Sequence, residues 1–485
     1  MRAAKFILGT AAGAFLLAGC LTHEPPTTAE LRQQGGAPVA ALLPETPWKK
    51  PGLGEAGAIQ DNWLASFGDP QLDLLVAEAL ANNPDLRVAS ARVEQAAQYV
   101  EMSKAALRPS ISLLGTGGAN MGGGDVESAL QGLSLGVSWE PDLWARLRYG
   151  RNAAEASYAS VMADFEFSRQ SLAAMVAKSW FAATETWLQL ELAENMVKSG
   201  FELSALADKR REIGPGNEQE AALARANLGK LEDSLSQVRF AHEQALRALE
   251  LLLGRYPAAE LQARRDLPEL PGPIPVGMPL QMLERRPDLI AAERRVAMAF
   301  NRVGEAKAAR LPRIVLNANV AAISSEILEL QSDFENPTAG VGARLIAPIY
   351  KGGELRAQVN IRTAEQKEAV AQYARHMLRA LGDVENAFAR ERALSERDRL
   401  LLRTALENER ALNLMETSYR VGRTDRRTVE QQYLNLYSAR LALLRVESEQ
   451  LSQRIDLHLA LGGSFEIPPE PPPEPEPTGD KVAAK

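Results

Sequence analysis

The chain has 485 residues, of which 46% are hydrophobic and 24% charged, with a formal net charge of −7 and a single cysteine, Cys20. One thiol excludes an internal disulfide and a cysteine-built zinc finger, and the acidic balance argues against a nucleic-acid partner. No segment after the first twenty residues offers 18 uncharged apolar residues in a row, so no transmembrane helix is expected.

In chain order, Arg2 and Lys5 precede an apolar run, Phe6 to Leu17, too short to span a bilayer, and small residues follow. That order reads as a secretory signal. Its exit, Leu17-Ala18-Gly19-Cys20, resembles the bacterial lipobox, which implies cleavage after residue 19 and a covalent lipid on the Cys20 thiol, a nucleophile that can be alkylated. Removing residues 1–19 leaves 466 residues and, because Arg2 and Lys5 go with them, a balance of −9. Leu21 stands where an inner-membrane lipoprotein commonly carries Asp, so the resemblance implies the outer membrane. Residues 20–60 carry scattered Pro and Gly and read as an extended lipidated segment; residues 466–485, with "PPEPPPEPEPT", read as a disordered or polyproline-like tail.

The rest is duplicated. "NPDLRVASARVEQAAQYVEMSKAALRPSISL" from Asn83 aligns without a gap on "RPDLIAAERRVAMAFNRVGEAKAARLPRIVL" from Arg286, at an offset of 203. Farther on, Ile213-Gly214 matches Val421-Gly422 and Leu253-Gly254 matches Leu461-Gly462. The copies occupy 61–267 and 268–465. Each begins with a proline-started helix, about 84–107 and 287–310, whose first turn carries an acid that suits the dipole. Period-two alternation follows: Ile111 and Leu113, then Leu133, Leu135, Val137 and Trp139; in the second copy Ile314, Leu316, Ala318 and Val320, then Val341, Ala343 and Leu345. One apolar face at that period means strands, about 110–119, 131–140, 313–322 and 338–348. The glycine-rich "GTGGANMGGG", 115–124, lacks dinucleotide-binding spacing and reads as a hairpin tip. Long helices follow, about 148–213 and 353–420, then helices at 218–253 and 425–461. Tyr158, Val161, Phe165, Leu172 and Met175 repeat near every 3.5 residues, as do Leu434, Tyr437, Leu441, Leu444, Leu451 and Ile455, the spacing of coiled-coil seams. Each long helix spans roughly 100 Å, and the two shorter helices of a copy, placed end to end, would cover it.

Ten-residue strands with one apolar face suit a membrane barrel. Four strands cannot close one, and hydrocarbon tolerates no open edge. Either the sheet packs inside a soluble domain or several chains share a barrel; strand counting alone permits two chains or three.

"WLASFGDPQLDLLVAEALANNPDLRVASARV", "APIYKGGELRAQV", "YRVGRTDRRTVEQQYLNLYSARLAL" and "LHLALGGSF" resemble the TolC-type outer-membrane factors, in particular the lipoprotein branch serving resistance-nodulation-division efflux pumps. The resemblance implies a mainly α fold with a β-barrel contribution: a homotrimer whose twelve strands form a barrel in outer-membrane lipid and whose helices form a periplasmic tunnel. The partners implied are a periplasmic membrane-fusion adaptor and an inner-membrane pump, and the task is passive export of drugs or small solutes, with no cofactor beyond the lipid on Cys20. It also implies that hairpin tips meet the adaptor. The matching residues are Gly214, Gly422 and Arg423, although a plain helix C-cap explains each glycine equally well. The aspartates that narrow the aperture in relatives are replaced by Thr428 and Gln431, leaving Tyr419, Asp425 and Glu430 as the candidate gate.

His23, His242, His376 and His458 show no metal-ligand spacing, and no Walker loop or G-x-S-x-G elbow is present, so neither a metal nor an enzymatic activity is expected. The competing readings are a lipid-anchored periplasmic coiled-coil scaffold or adaptor, and an outer-membrane duct for protein secretion.

Overall fold

The structure, a computed structural model, describes residues 24–27, 29–31, 48, 57–116, 119–122, 125–128, 131–277, 279–324 and 338–466. Cys20, the signal segment and the Pro/Glu-rich tail lie outside the described residues. A 3-10 turn at Trp63–Phe67 is followed by α1 (Pro70–Asn82), α2 (Pro84–Ala105), β1 (Ser110–Thr116), β2 (Ala119–Gly122), β3 (Asp125–Ser128), β4 (Gln131–Trp139), α3 (Arg146–Glu212) and α4 (Glu218–Leu252). Then come α5 (Pro279–Arg285), α6 (Pro287–Ala308), β5 (Arg313–Ser324), β6 (Thr338–Ile346), α7 (Glu354–Arg420) and α8 (Arg426–Leu461). Helix lengths agree in pairs: α2 and α6 have 22 residues each, α3 and α7 have 67 each, and α4 and α8 have 35 and 36. The described part is mainly helical. Among the described residues, no helix is long and apolar enough to cross a membrane.

The chain divides into two compact bodies. Among the described residues the first is built from Val88–Glu166 and Pro287–Arg379. It holds a four-stranded antiparallel sheet in the order β1-β4-β5-β6 and a small β2-β3 ladder. That ladder agrees with the reading of the glycine-rich tract as a hairpin tip: Ala119 pairs with Ser128 and Gly122 with Asp125, antiparallel. Strand hydrogen bonds come from the main chain, and glycine weakens them without abolishing them. Beside the sheet, α3 and α6 approach closely at Gly304, where a Cβ would lie 2.6 Å from the Tyr149 ring. Only a residue without a Cβ lets that buried ring rest on the helix backbone.

The second body comprises Pro44–Arg87, Phe167–Arg286 and Ala380–Lys485. Its core is lined by Leu72, Leu75, Val76 and Ala79 of α1 and by Leu172, Ala173, Val176, Ala177, Trp180 and Phe181 of α3. The buried α3 set is wider than a two-position seam, and Met175, expected in that seam, is 47% exposed. Successive buried pairs at intervals of three and four give a face over 100° wide, which suits packing against several neighbours. Asp69 caps α1 by accepting from the Gln71 and Leu72 N–H groups, and its other oxygen accepts from the Trp180 indole at 2.9 Å. Ahead of the 3-10 turn, Trp48 is buried, donates to the Val276 carbonyl at 3.1 Å and packs edge-on against Phe388.

Two helix-to-helix junctions also lie here. The Asn83 side chain accepts from the Asp85 and Leu86 N–H groups at the start of α2 and donates at 3.0 Å to the Leu252 carbonyl at the end of α4. One amide thus serves orphan groups of two helix ends. Before α6, the Arg286 guanidinium donates to the Ala460 carbonyl at the end of α8. The segment joining α4 to α5 is pinned by Arg454, buried beside Glu391 at 3.2 Å and donating to the Pro271 carbonyl.

His458 is buried, stacked on Trp63 with ring centroids 6.1 Å apart. Burial, reinforced by Arg454, pushes its imidazole down to about 4 from 6.5. The unfolded chain therefore takes up a proton that the folded one refuses across this interval. The associated stability is whole above pH 6.5 and is lost as pH falls, reaching about 3 kcal/mol near pH 4. Thermal unfolding in detergent should show a midpoint falling through this window. His458→Gln should flatten that slope, and an unchanged slope would remove His458 as its source.

Candidate functional site

Two surfaces carry the residues of interest, one in each body. In the first body, strand register decides which side chains share a face. Ile111 opposes Val137 and Leu113 opposes Leu135. Leu135 opposes Val320, Val137 opposes Ala318 and Trp139 opposes Leu316. Ala318 opposes Val341, Leu316 opposes Ala343 and Ile314 opposes Leu345. Side chains directly opposite each other point the same way, so one apolar face runs unbroken across all four strands. The other face is mixed, mostly small and polar with Ser112, Ser134, Ser138, Asn317 and Asn319, but with Leu114, Val315 and Arg344 on it as well. The apolar face is bare: Ile111 is 72% exposed, Leu345 67% and Val341 90%. Among the described residues, β1 and β6 each pair on one side only.

The second surface is formed by the two hairpin tips. At the end of α7 the Gly422 N–H donates to the Tyr419 carbonyl and the Arg423 N–H to the Ser418 carbonyl, with Gly422 at φ +75°. These paired bonds are a Schellman cap, so Gly422 does serve as a helix C-cap. At the end of α3, Gly214 has φ +96° and donates to the Arg211 carbonyl, but the next residue, Pro215, has no N–H. Gly216 supplies the missing donor, to the Arg210 carbonyl at 3.0 Å, and the turn is correspondingly longer. Both tips present bare apolar side chains, Ile213 at 70% and Val421 at 64% exposed. Arg211 bridges to Glu218 at 2.7 Å, and that hydrogen bond, with Arg225 adding, holds the Glu218 carboxyl below its usual range. A groove of about 470 Å³ between the hairpins is lined by Leu203, Arg210, Leu223, Met415, Thr428 and Gln431.

The candidate gate residues are spread across this tip. Asp425 caps α8, accepting from the Thr428 hydroxyl at 2.7 Å and the Thr428 N–H at 2.9 Å. The hydroxyl bond first and the N–H bond second hold its carboxyl below the usual value. Glu430 is 3% exposed and ion-paired with Arg426 one turn earlier. Tyr419 is 42% exposed. Of the three, only Tyr419 presents an exposed side chain without a capping or buried-pair role in this chain. Glu416 accepts from the hydroxyl of Tyr433, and that bond, with burial, pushes the phenol up to about 12. Among the described residues, no group of three or more His, Cys, Asp or Glu is placed to hold a metal.

A sequence profile described as outer membrane efflux protein matches residues 75–255 and 278–463. The chain belongs to that family. It is 29% identical over 466 residues to the pyoverdine export outer membrane protein OpmQ of Pseudomonas putida, covering 93% of this chain and 96% of the relative. It is 28% identical over 471 residues to the toluene efflux pump outer membrane protein TtgC of Pseudomonas putida, covering 95% and 96%. The outer membrane channel CmeC of Campylobacter jejuni shares the fold, with a TM-score of 0.79 at 22% identity over 93% of this chain and 95% of that one. The chain is therefore an outer-membrane efflux protein with a TolC-like channel fold, and its two surfaces can be read accordingly.

The Asp425 cap gives a direct test of structural against gating roles. Asp425→Ala should cost about 1 kcal/mol at neutral pH. Because the folded carboxyl is held low, the wild-type advantage is full above the ordinary aspartate value and disappears as pH falls through the folded one. Denaturant titration at neutral and acidic pH reads both. Unchanged stability with raised conductance in planar bilayers would assign Asp425 to the aperture instead.

Proposed function

We propose that three copies of this chain close one twelve-stranded barrel in the outer membrane, with the four long helical segments of each copy walling a periplasmic tunnel. Solutes pass through this duct passively and no bond is made or broken. One observation carries the reading: four strands share a single exposed apolar face and end in two open edges. In hydrocarbon each unpaired N–H or C=O costs several kcal/mol, so β1 of one copy must meet β6 of the next. The paired helix lengths support a duplicated unit, with copies at 61–267 and 268–465.

The tips, with Gly214, Gly422 and Arg423 and the bare Ile213 and Val421, are the surface for a periplasmic adaptor that links the duct to an inner-membrane pump of the resistance-nodulation-division type. Tyr419 is the gate candidate that the geometry favours. Cys20 carries the lipid that tethers the chain to the membrane. The relatives are named for pyoverdine export and for toluene efflux, and the face opposite the apolar one carries mainly Ser, Asn and Gly with Arg344 and Leu114 among them.

The parity of β5 and β6 supplies the test. Val341→Lys puts a charge on the apolar face, at a cost of about 2–4 kcal/mol per copy near the bilayer midplane. It should abolish the heat-modifiable, SDS-resistant assembly and raise dye accumulation in cells to the level of a deletion strain. Asn317→Lys, on the opposite face, should preserve assembly. A mature chain that stays monomeric and water-soluble without detergent would favour the periplasmic scaffold.

A further inference from the structure

At the end of the sheet where β4 finishes and β5 begins, the structure holds a cleft of about 300 Å³ that none of the roles above uses. Its walls are the turns after β4 and before β5 and the segment joining β6 to α7, all within the first body. Ile314, which belongs to the apolar face, opens into it. Around it stand side chains suited to a membrane boundary. The Trp139 indole donates to the Leu107 carbonyl at 3.0 Å and the Trp144 indole to the Pro312 carbonyl at 2.6 Å, while Ile349 and Tyr350 are 92% and 87% exposed. Aromatic side chains with one apolar and one polar end collect at the level of lipid headgroups.

The charges of the cleft divide into two kinds. Asp142 is committed to the turn itself, accepting from the Leu147 and Arg148 N–H groups, and Glu140 holds Arg146 at 2.8 Å. Two further pairs are loose. Arg313 stands 3.7 Å from Glu140, and Lys351 stands 3.9 Å from Glu354, both beyond hydrogen-bond length and with the two cations about half exposed. Exposed pairs at such distances hold each other weakly and can be re-formed around a ligand. A ligand with one anionic and one hydrogen-bonding cationic group would satisfy both halves of the set. A purely anionic group would face Glu140 and Glu354.

We propose that this cleft holds the headgroup of a zwitterionic phospholipid, with the phosphate between Arg313 and Lys351, the primary ammonium on Glu354, and the acyl chains laid along the apolar face from Ile314. The inference rests on the barrel reading, since it requires the apolar face to stand in lipid.

The test uses the full mature chain in mild detergent, first checked for heat-modifiable mobility and then incubated with equal amounts of phosphatidylethanolamine, phosphatidylglycerol, phosphatidylcholine and diacylglycerol of the same acyl chains. Native mass spectrometry reads what is retained. Phosphatidylethanolamine should be retained over each of the others, and the double variant Arg313→Ala/Lys351→Ala should lose that preference by roughly fivefold while still assembling. Equal retention of phosphatidylglycerol, or of phosphatidylcholine, whose ammonium has no proton to donate, overturns the proposal. So does displacement of the lipid by soluble glycerophosphoethanolamine at matched concentration, which would make the ligand a free phosphoester. Failure to assemble in the first check sinks the barrel reading; an assembled barrel that retains no lipid above diacylglycerol sinks only this one. Should the double variant fail to assemble, the ranking of lipids on the wild-type chain decides.

Discussion

The unpaired edge of a four-stranded sheet is the constraint from which the rest follows. A strand edge in water is solvated and costs little; the same edge in hydrocarbon has nothing to bond. This chain sets a continuous apolar face beside two such edges. Water would penalise the face and lipid would penalise the edges, so a single copy is at rest in neither solvent. The proposed closure by sister copies would remove both penalties together. It would also account for a chain without a membrane-spanning helix among its described residues in an outer-membrane family.

Long helices pose a matching problem at their ends, where each leaves four donors or four acceptors unpaired. Here the ends are brought together in pairs. Asn83 caps the start of α2 while its amide donates to the last carbonyl of α4, and Arg286 performs the donor half of that task for α8. The two junctions differ in chemistry, a neutral amide in one and a buried guanidinium partnered by Asp383 in the other. A charged donor makes the stronger bond but must itself be kept paired. The two junctions share the demand for a donor at this place and meet it with different residues.

Legibility in the sequence followed the same physics. Strand face and parity could be read because period-two alternation is local, and register then aligns all four faces. Helix α1 was passed over although Asp69-Pro70 is a strong start, because the thirteen residues that follow carry apolar side chains on more than one face, with Leu74 72% exposed. The burial of Val176 and Ala177 rather than Met175 is decided by which neighbours α3 meets, information that no single helix contains. At the gate, charge alone drew attention to Asp425 and Glu430. Their spacing to Thr428 and Arg426 is the ordinary spacing of a cap and an i,i+4 pair, and the structure gives them those tasks. The branched tip residues Ile213 and Val421 were legible as a matched pair beside the turn glycines, and their exposure is what the structure adds.

The two hairpin tips, similar in sequence, present two different surfaces. A Schellman cap needs a donor two residues past the last helical turn, and Arg423 provides it in the second copy. Pro215 stands at the corresponding place in the first, so the bond passes to Gly216 and the turn lengthens. Around the longer turn, Arg211, Glu218, Arg225 and Asp208 form a connected set of ion pairs; around the shorter one, Asp425 is spent on a cap and Glu430 on a buried pair. A partner docking on the first tip meets a neutralised network, and on the second the exposed guanidinium groups of Arg423 and Arg427 beside the Arg426–Glu430 and Arg420–Glu416 pairs. If three copies surround a common axis, these tips alternate around the ring, six positions of two kinds. A partner that distinguishes charge would seat three times and one that reads only the bare Ile213 and Val421 would seat six.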